Sequence, residues 1–298
     1  MKAIATSHFP RRGRIMIFAK DRLFPCTITH EVDSSYLSKE KPKDIGQYEE
    51  WLKNALEIEI TNKASMHYDL ISNKIKYKFE ESPFWMDLTN NIKIFDEEYQ
   101  REHKSYKLFH DPSRPKIYTK PFDTFFLKTY RKNILENDNF PEAPEEGWIT
   151  PDNWFCRIQD IIRTRFVVKY IDGVEFLTNR IDSYCRKFDL PCEINLEAKE
   201  EGYYAAHLYT CQDFEMPKLT WDTEKIEIPV EIQVMTQLQD HIVMLLHKYY
   251  EENRKKIARE DKWQWNYKSD EFAVNYLAHI LHYVEGMIVE IRDDERGD

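Results

Sequence analysis

The chain has 298 residues, 42% of them hydrophobic and 32% charged, a composition that is typical of globular proteins and excludes an intrinsically disordered chain. It holds only seven glycines and neither a Walker-type phosphate loop nor a Rossmann glycine pattern, which excludes two common classes of nucleotide-binding protein. The formal net charge of −10 disfavours the binding of polyanions by the surface as a whole.

The first half of the chain is predicted to be mainly helical. Residues 1–40 alternate short apolar stretches with turns, and we assign no element to them. Apolar side chains at helical spacing predict helix within residues 44–80, and Pro83 interrupts that pattern. A further helix is predicted within residues 84–110.

Residues 121–135 predict the next helix, with Pro121 in its first turn. Residues 140–153 are rich in proline and turn-forming residues, which predicts a long surface loop. The pattern then changes, because residues 161–170 are rich in β-branched side chains and predict a strand. Residues 172–188 have the periodicity of an amphipathic helix.

Two more strands are predicted at residues 203–211 and 226–234, and we expect them to pair. Helices are predicted at residues 238–250 and 270–292, because apolar side chains recur there at helical spacing. Strands alternate with helices in the middle of the chain, and helices dominate both ends. The predicted fold class is therefore α/β or α+β, with a core of four to six strands wrapped by helices.

These patterns divide the chain into three predicted regions. Residues 1–99 form an N-terminal helical region, residues 100–252 form the core that contains the strands, and residues 253–298 form a C-terminal helical extension. The motifs described below all fall within the middle region. We therefore expect the chemistry of the protein to reside there.

The positive charge of the chain is concentrated in one window. Residues 101–132 hold nine Lys or Arg and three acidic side chains, a net charge of +6 in a chain that is otherwise strongly negative. Such a window is typical of a surface that binds polyphosphate or RNA, but an ordinary solvated helix face has the same composition. Charge alone leaves both interpretations open.

The five cysteines show no C-x-x-C spacing, and their odd number predicts neither a disulfide framework nor a zinc site. We therefore expect a reducing compartment, the cytoplasm. Basic residues near the N-terminus are followed by only a short apolar run, and the chain contains no apolar run of about 18 residues. We therefore expect neither a signal peptide nor a membrane span.

Two carboxylates lie at strand edges where they can act together. Asp160 immediately precedes the first predicted strand, and Glu231 lies within the strand at residues 226–234. In that strand Glu231 and Gln233 share one face while apolar side chains occupy the other, which predicts a sheet face that borders an open cleft. Two carboxylates in a cleft can hold Mg²⁺ together with phosphates, or take a proton from an attacking hydroxyl. Ordinary solvent-facing acids give the same pattern.

Five short motifs occur in one order within residues 100–250. They are Arg114-x-Lys116, Asp160-x-x-x-x-Arg165, Gly202-Tyr203-x-x-x-His207, Glu231-x-Gln233-x-x-Thr236 and His247-Lys248-x-Tyr250. Each motif is weak by itself. In this order they resemble the synthetase domain of RelA/SpoT homologues, the alarmone synthetases.

The resemblance implies a fold of the nucleotidyltransferase type, with a mixed β-sheet flanked by helices. It implies a pyrophosphokinase that moves the β,γ-diphosphate of ATP to a ribose 3′-hydroxyl, with Mg²⁺ as the cofactor. By position, Asp160 matches the metal-binding aspartate of the family. Glu231 matches the glutamate that helps to hold the metal and acts as the base for the attacking hydroxyl.

The same resemblance assigns residues to the two substrates. The implied ATP-binding residues are all basic: Arg114, Lys116, Lys120, Arg131 and Arg165. Tyr203 matches the aromatic side chain that stacks on the acceptor base, and His207 and Gln233 complete the acceptor site. Stacking of this kind contributes on the order of 1–3 kcal/mol per base.

The chain departs from the family pattern around the acceptor. The family has arginine and serine after the Gly-Tyr pair, where this chain has Tyr204 and Ala205, and Met235 replaces the arginine that usually precedes the threonine. A site that loses hydrogen-bonding groups loses discrimination. We therefore favour the 3′ CCA end of tRNA, which toxic members of the family modify to block translation. The alternative is a (p)ppGpp synthetase that acts on GDP or GTP.

The toxin hypothesis implies ATP, tRNA and a separately encoded antitoxin protein as partners, and no membrane. Two other hypotheses stay open, a catalytically inactive RelA/SpoT-like regulatory module and an enzyme that adds a nucleotide instead of a diphosphate. Retention of Asp160, Glu231, Arg114 and Tyr203 favours an active enzyme, because an inactive site has no need of them.

Overall fold

The computed structural model describes residues 40–217, 223–253 and 263–294. In these residues the chain forms a five-stranded mixed β-sheet with helices packed against it, which confirms the predicted fold class. Residues 1–39, to which the sequence assigns no element, lie outside the described part. None of the helices in the described ranges combines the length and hydropathy that a membrane span requires.

The helices before the sheet form at the predicted places but are more divided. The segment predicted as helical at residues 44–80 contains two helices, because Glu57 adopts a φ of +56° and interrupts the right-handed path between them. Asp44 accepts a hydrogen bond from the Gln47 backbone and caps the first of these helices. The helices are α1 (Ile45–Ala55), α2 (Asn62–Glu80), α3 (Pro83–Asn90), α4 (Ile92–Glu102), α5 (Phe122–Tyr130), which continues into a π-helical turn (Arg131–Leu135), and α6 (Trp154–Arg157).

The strands in the described residues are β1 (Ile117–Thr119), β2 (Ile162–Val168), β3 (Cys192–Ala198), β4 (Tyr204–Pro217) and β5 (Thr223–Thr236). Two of them, β1 and β3, were not predicted from the sequence. β1 has only three residues, and β3 lies at the edge of the sheet with its side chains half-buried or exposed. The helices are α7 (Ile171–Lys187), α8 (Gln237–Asn253) and α9 (Asp270–Asp294), with a 3₁₀ turn (Trp263–Trp265) before α9.

The strand order is β1-β2-β5-β4-β3. Only β2 and β5 run parallel, and their register sets Arg163 beside Glu231 and Arg165 beside Gln233. The other neighbouring pairs are antiparallel. Because successive side chains point to opposite faces of a strand, these four polar side chains all lie on one face of the sheet.

The other face of the sheet belongs to the hydrophobic core. In β2 the side chains alternate between buried and half-buried, and Phe166 packs against Trp85 of α3 with the ring centroids 5.9 Å apart. One cluster of buried side chains extends from Tyr48 of α1 to Val234 of β5. The helical segment before the sheet and the sheet itself therefore share a core. The predicted boundaries at residues 99 and 252 stay a prediction.

The C-terminal helix α9 is fixed at its end by a buried ionic contact. Arg292 is 5% exposed and donates to Asp172 at 2.7 Å and to the Tyr99 hydroxyl at 3.0 Å. Its guanidinium also lies 5.5 Å from the ring centroid of Tyr106 and 5.2 Å from that of Tyr170. These contacts join α9 to α4 and α7 and so set the position of α9 along the sheet.

Replacing Arg292 by methionine is expected to lower the free energy of unfolding by about 2–4 kcal/mol, because Asp172 and Tyr99 lose a buried charged donor. Urea denaturation measures the change. The control is Arg186→Met, which removes an exposed ion pair to Asp182 on the same helix and should cost less than about 1 kcal/mol. Equal losses in the two variants would contradict the anchoring role of Arg292.

Candidate active site

Asp160 lies in the turn that enters β2, where two lysines converge on its carboxylate. Lys120, just after β1, donates to Oδ2 at 2.7 Å, and Lys128 of α5 donates to Oδ1 at 2.8 Å. The antiparallel pairing of β1 with β2 brings Lys120 there, since its backbone N–H bonds the Ile161 carbonyl at 2.8 Å. The Asp160 side chain is 15% exposed, Lys120 is 8% exposed and Lys128 is 30% exposed, so solvent reaches the cluster mainly at Lys128.

The two lysines determine the charge of Asp160. Burial by itself raises the pKa of this carboxyl, but the charges of Lys128 and Lys120 and their hydrogen bonds outweigh burial and lower the pKa to about 2. Burial also lowers the pKa of Lys120, whose positive charge is supported mainly by Asp160. Asp160 is therefore ionised at neutral pH and held between two ammonium groups.

Glu231 lies in the middle of β5 and has a different set of partners. Nδ1 of His207 is 2.8 Å from its Oε1, the Tyr209 hydroxyl donates to the same oxygen at 3.3 Å, and Gln233 donates to Oε2 at 3.1 Å. The Tyr203 hydroxyl lies 2.6 Å from Nε2 of His207. Both ring nitrogens of His207 are therefore engaged, Nδ1 with Glu231 and Nε2 with Tyr203.

The pKa of Glu231 is lowered as well. Burial raises it, but the hydrogen bond and charge of His207 lower it by more, and Gln233 adds to that effect. The charge of Asp160 acts in the opposite direction and raises the pKa of Glu231. The two carboxylates therefore interact and belong to one electrostatic site at the junction of β2 and β5.

The prediction of an open cleft above Glu231 is wrong. Glu231 is 3% exposed and Gln233 is 7% exposed, because their hydrogen-bond partners occupy the space beside the strand. Arg165 donates to the side-chain oxygen Oε1 of Gln233 through Nε at 3.1 Å and through Nη2 at 3.0 Å. Its Nη1 donates to Asp240 of α8 at 2.6 Å. The contacts with Oε1 turn the amide nitrogen of Gln233 towards Glu231.

Residues 202–207, which the family resemblance assigns to the acceptor and which we call the acceptor loop, divide their two tyrosines between the sheet and α9. The Tyr203 ring packs with the apolar side chains of Ala205, Met235 and Val243 on the site face of the sheet. Tyr204 points the other way, where its ring stacks on His282 of α9 at 3.6 Å. The strand alternation that separates these neighbours also keeps Tyr204 away from Glu231.

Gly202 makes the close approach of this loop to α9 feasible. Its φ is +82°, and a Cβ atom at this position would lie 2.5 Å from the Cβ of Ala278. The Tyr204 hydroxyl adds a contact with Nδ1 of His279 at 2.8 Å. Helix α9 is therefore the support on which the acceptor loop rests.

The structure does not bring all the predicted ATP-binding residues together. Arg114 and Lys116 lie at the opposite end of β1 from Lys120, beside a cavity of about 420 Å³ that Tyr77 also lines. Arg114 donates to the Glu80 carbonyl at the end of α2 at 2.8 Å. Their role in ATP binding stays a prediction.

Other predicted residues have partners elsewhere or cannot be placed. Arg131 is exposed and pairs with Glu136 at 2.5 Å. Arg165 donates hydrogen bonds to Gln233 and Asp240. The side chains of the motif His247-Lys248-x-Tyr250 lie outside the described part of the structure. Among the predicted basic residues, Lys120 is the one in contact with Asp160.

Two residues of the site were missed in the sequence. Lys128 belongs to the basic window, but its contact with Asp160 joins residues 32 positions apart, which no local pattern reveals. Tyr209 follows His207 by two positions in a strand, so alternation places both on the face of Glu231. That signal was present in the sequence.

The donor set fits a magnesium ion only in part. In the described residues no group of three or more His, Cys, Asp or Glu side chains could hold a metal ion. Asp160 and Glu231 provide two ionised carboxylates, and Mg²⁺ is commonly bound by one or two carboxylates together with waters and substrate phosphates. The residues therefore suit a Mg²⁺ ion that arrives with a nucleotide.

Comparison with known proteins gives structural similarity only. No family model matches the chain, and no curated protein matches its sequence. A GTP pyrophosphokinase family protein from Streptococcus pneumoniae aligns with 80% of this chain and 97% of its own length, at 16% identity and a TM-score of 0.47. Small alarmone synthetase 2 from Bacillus subtilis aligns with 78% of this chain and 97% of its own, at 18% identity and a TM-score of 0.45. These similarities concern the fold, and the identities are too low to assign an activity.

The lysine clamp on Asp160 predicts a pH-dependent stability. Because the pKa of Asp160 falls from 3.8 to about 2 on folding, its contribution is present above about pH 4 and is lost as the pH falls towards 2. Asp160→Asn should lower the free energy of unfolding by about 2 kcal/mol at neutral pH. Urea titrations at a series of pH values should show this difference shrinking as the pH falls.

The control for this series is Glu59→Gln, which removes an exposed carboxylate paired with Lys53. This substitution should lower the free energy of unfolding by less than about 1 kcal/mol at every pH. A difference between wild type and Asp160→Asn that does not change with pH would show that the lysines do not hold Asp160 in its ionised form.

Proposed function

We propose that this chain is an ATP-dependent pyrophosphokinase that transfers the β,γ-diphosphate of ATP to a ribose 3′-hydroxyl, with the 3′ CCA end of tRNA as the acceptor. The observation that carries the proposal is the pair of interacting, ionised carboxylates at the β2–β5 junction, Asp160 and Glu231, with Lys120 and Lys128 against one and His207 against the other. Such a site combines negative ligands for a metal–nucleotide complex with cations for its phosphates.

In this reaction the acceptor oxygen forms a bond to the β-phosphorus of ATP. The bond between that phosphorus and the oxygen bridging to the α-phosphate breaks, and AMP leaves with that oxygen. The proton of the acceptor hydroxyl passes to a carboxylate. Diphosphate transfer of this kind needs positioning and neutralisation of charge more than covalent assistance from the protein.

Lys120 and Lys128 are the cations best placed to meet the phosphates, because both ammonium groups already converge on Asp160. Asp160 and Glu231 are the residues that would hold Mg²⁺, which neutralises phosphate charge when it is bound. Lys128 extends the set of phosphate-binding candidates beyond those that the family resemblance implies. The contact with Asp160 is the reason to include it.

Glu231 is the residue that we propose to accept the hydroxyl proton. Its lowered pKa keeps it ionised at neutral pH, as a base must be before the reaction begins. His207 and Gln233 hold both of its oxygens and therefore fix the orientation of the carboxylate. Tyr203 fixes His207 in turn, through the 2.6 Å contact with Nε2.

The surroundings of Tyr203 favour the tRNA end over a guanine nucleotide. Ala205 and Met235, which pack with Tyr203, stand where the family pattern has a serine and an arginine. These side chains offer a base apolar contact in place of hydrogen bonds, which reduces discrimination for guanine. Diphosphate on the 3′-terminal ribose would block translation, so the protein would act as a toxin and require a neutralising antitoxin.

The acceptor assay uses the protein with Mg²⁺ and ATP labelled at the γ-phosphate, offered GDP, GTP, ATP and deacylated tRNA in parallel. We expect label on tRNA, and its loss when the 3′-terminal adenosine is removed beforehand. Label on GDP or GTP would instead identify a (p)ppGpp synthetase with an altered acceptor loop. No label on any acceptor would favour an inactive regulatory module, and addition of a nucleoside monophosphate, seen by mass spectrometry, would favour a nucleotidyltransferase.

Glu231→Gln and Asp160→Asn should each reduce the rate of transfer about a hundredfold or more, because the reaction loses its base or a metal ligand. Near-wild-type transfer by either variant would contradict the assigned site. Circular dichroism of the same preparations separates loss of chemistry from loss of fold. Chelation of the metal by EDTA should abolish transfer in the wild-type protein, and added Mg²⁺ should restore it.

Lys128→Ala should raise the KM for ATP about tenfold or more, because it removes a cation from the proposed phosphate site. The comparison variant is Arg114→Ala, which removes a residue that the family resemblance assigns to ATP but the structure places at the other end of β1. A larger effect of Arg114→Ala than of Lys128→Ala would show that ATP binds at the Arg114 cavity and not beside Asp160.

A further inference from the structure

Arg163 of β2 differs from the other cations of the site because it has no hydrogen-bond or ion-pair partner within the described part of the chain. Strand alternation places its side chain on the face of the sheet that carries Glu231, and the parallel register sets the two residues side by side. Arg165, two positions further along, donates to Gln233 and Asp240. The guanidinium of Arg163 forms no such contact with any residue at positions 40–217, 223–253 or 263–294. Its positive charge is therefore available to a ligand.

Arg163 is also half-buried, which makes its lack of a partner costly. A guanidinium withdrawn from water needs an anion or other acceptor oxygens to compensate for the lost hydration. The two carboxylates of the site do not supply them. Lys120 and Lys128 already hold the oxygens of Asp160, and both oxygens of Glu231 are engaged by their own partners. An anionic group from outside the protein would meet the need.

The charge of Arg163 reaches both halves of the proposed site. Burial lowers the pKa of Lys120, and the positive charge of Arg163 adds to that effect. Burial raises the pKa of Tyr203, and the charges of Arg165 and Arg163 act in the opposite direction. One guanidinium is thus within electrostatic reach of the lysine that would meet the ATP phosphates and of the tyrosine that would meet the acceptor.

We infer that Arg163 is a catalytic residue that binds the diphosphate group while it passes from ATP to the acceptor. The inference rests on the proposed function, in which the acceptor oxygen bonds to the β-phosphorus, AMP leaves with the bridging oxygen and the hydroxyl proton passes to Glu231. The oxygens of the transferred group carry negative charge throughout this step. A guanidinium suits them because its planar N–H donors can meet two phosphate oxygens at once.

Arg163 should affect the rate of transfer more than the binding of ATP. Its place beside Glu231 is where the acceptor hydroxyl loses its proton, so its contact with the diphosphate is closest during the transfer itself. An interaction that is made mainly in the transition state lowers kcat when it is removed and changes KM little. Arg163→Ala should therefore lower kcat about a hundredfold, and the KM for ATP should change much less.

The first measurement is the rate of diphosphate transfer by Arg163→Ala with and without guanidinium chloride at millimolar concentration. We expect added guanidinium to restore part of kcat, because the free ion can occupy the place of the missing side chain. Arg163→Lys keeps the charge but not the planar donors, and it should retain only part of the wild-type kcat. The matched control is Arg180→Ala, which removes an arginine of α7 that pairs with Glu98 at 3.1 Å and should neither lose activity nor respond to guanidinium.

A second measurement needs neither an acceptor nor turnover. Isothermal titration calorimetry with inorganic diphosphate should show binding about fivefold or more weaker for Arg163→Ala than for the wild type, and unchanged binding for Arg180→Ala. Thermal unfolding of Arg163→Ala, followed by circular dichroism, should give a melting temperature no lower than that of the wild type. The reason is that its removal leaves no described donor or acceptor without a partner.

The two measurements separate this inference from the proposed function. Wild-type kcat in Arg163→Ala, in a protein that does transfer diphosphate, would overturn the inference and leave the proposed function standing. A wild-type protein that transfers nothing would contradict the proposed function, while weaker diphosphate binding by Arg163→Ala would still support Arg163 as an anion-binding residue. Unchanged diphosphate binding would then overturn the inference too. A lost kcat that guanidinium does not restore, together with a lower melting temperature, would identify a structural role and also overturn it.

Discussion

The parallel pairing of β2 with β5 is the constraint on which the site depends. This register places Arg163 beside Glu231 and Arg165 beside Gln233, and it brings the turn that carries Asp160 to the same edge of the sheet. A shift of one residue would send Glu231 into the hydrophobic core, where a carboxylate has no partner. The alternation of apolar and polar side chains in β5 therefore fixes both the core and the chemistry, because each register that buries Ile232 also presents Glu231.

Burial makes the partners of each carboxylate as important as the carboxylate itself. Two ammonium groups enclose Asp160, whereas an imidazole, an amide and a hydroxyl enclose Glu231. The first arrangement suits the exchange of positive charges with a metal–phosphate complex, because the lysines are themselves cations. The second arrangement uses groups with fixed orientation, which suits a carboxylate that must point at one hydrogen atom. Under the proposed function, the two carboxylates would therefore serve different tasks because their neighbours differ.

Local patterns in the sequence were sufficient for most of the elements, though not for β1 and β3, and for part of the site. The apolar and polar faces of β5 could be predicted because strand alternation is a property of consecutive residues, and the positions of Asp160 and Glu231 at strand edges indicated that the two act together. The contact of Lys128 with Asp160 and the separation of Arg114 from it depend on how α5 and β1 pack, and no local pattern encodes that packing. The burial of Glu231 was missed for a related reason, since its partners His207 and Tyr209 come from a neighbouring strand.

The acceptor loop links the site to α9, because consecutive side chains of a strand point to opposite faces. Tyr203 lies on the side of Glu231 and is held by His207, while Tyr204 is held by the inner face of α9. Any displacement of α9 therefore moves Tyr204 and, through one peptide unit, Tyr203. Tyr204 stacks on His282 of α9, so its side chain supports the loop and does not share the face of the sheet that carries Glu231. Under the proposed function, the acceptor would therefore be recognised through Tyr203 and its apolar neighbours.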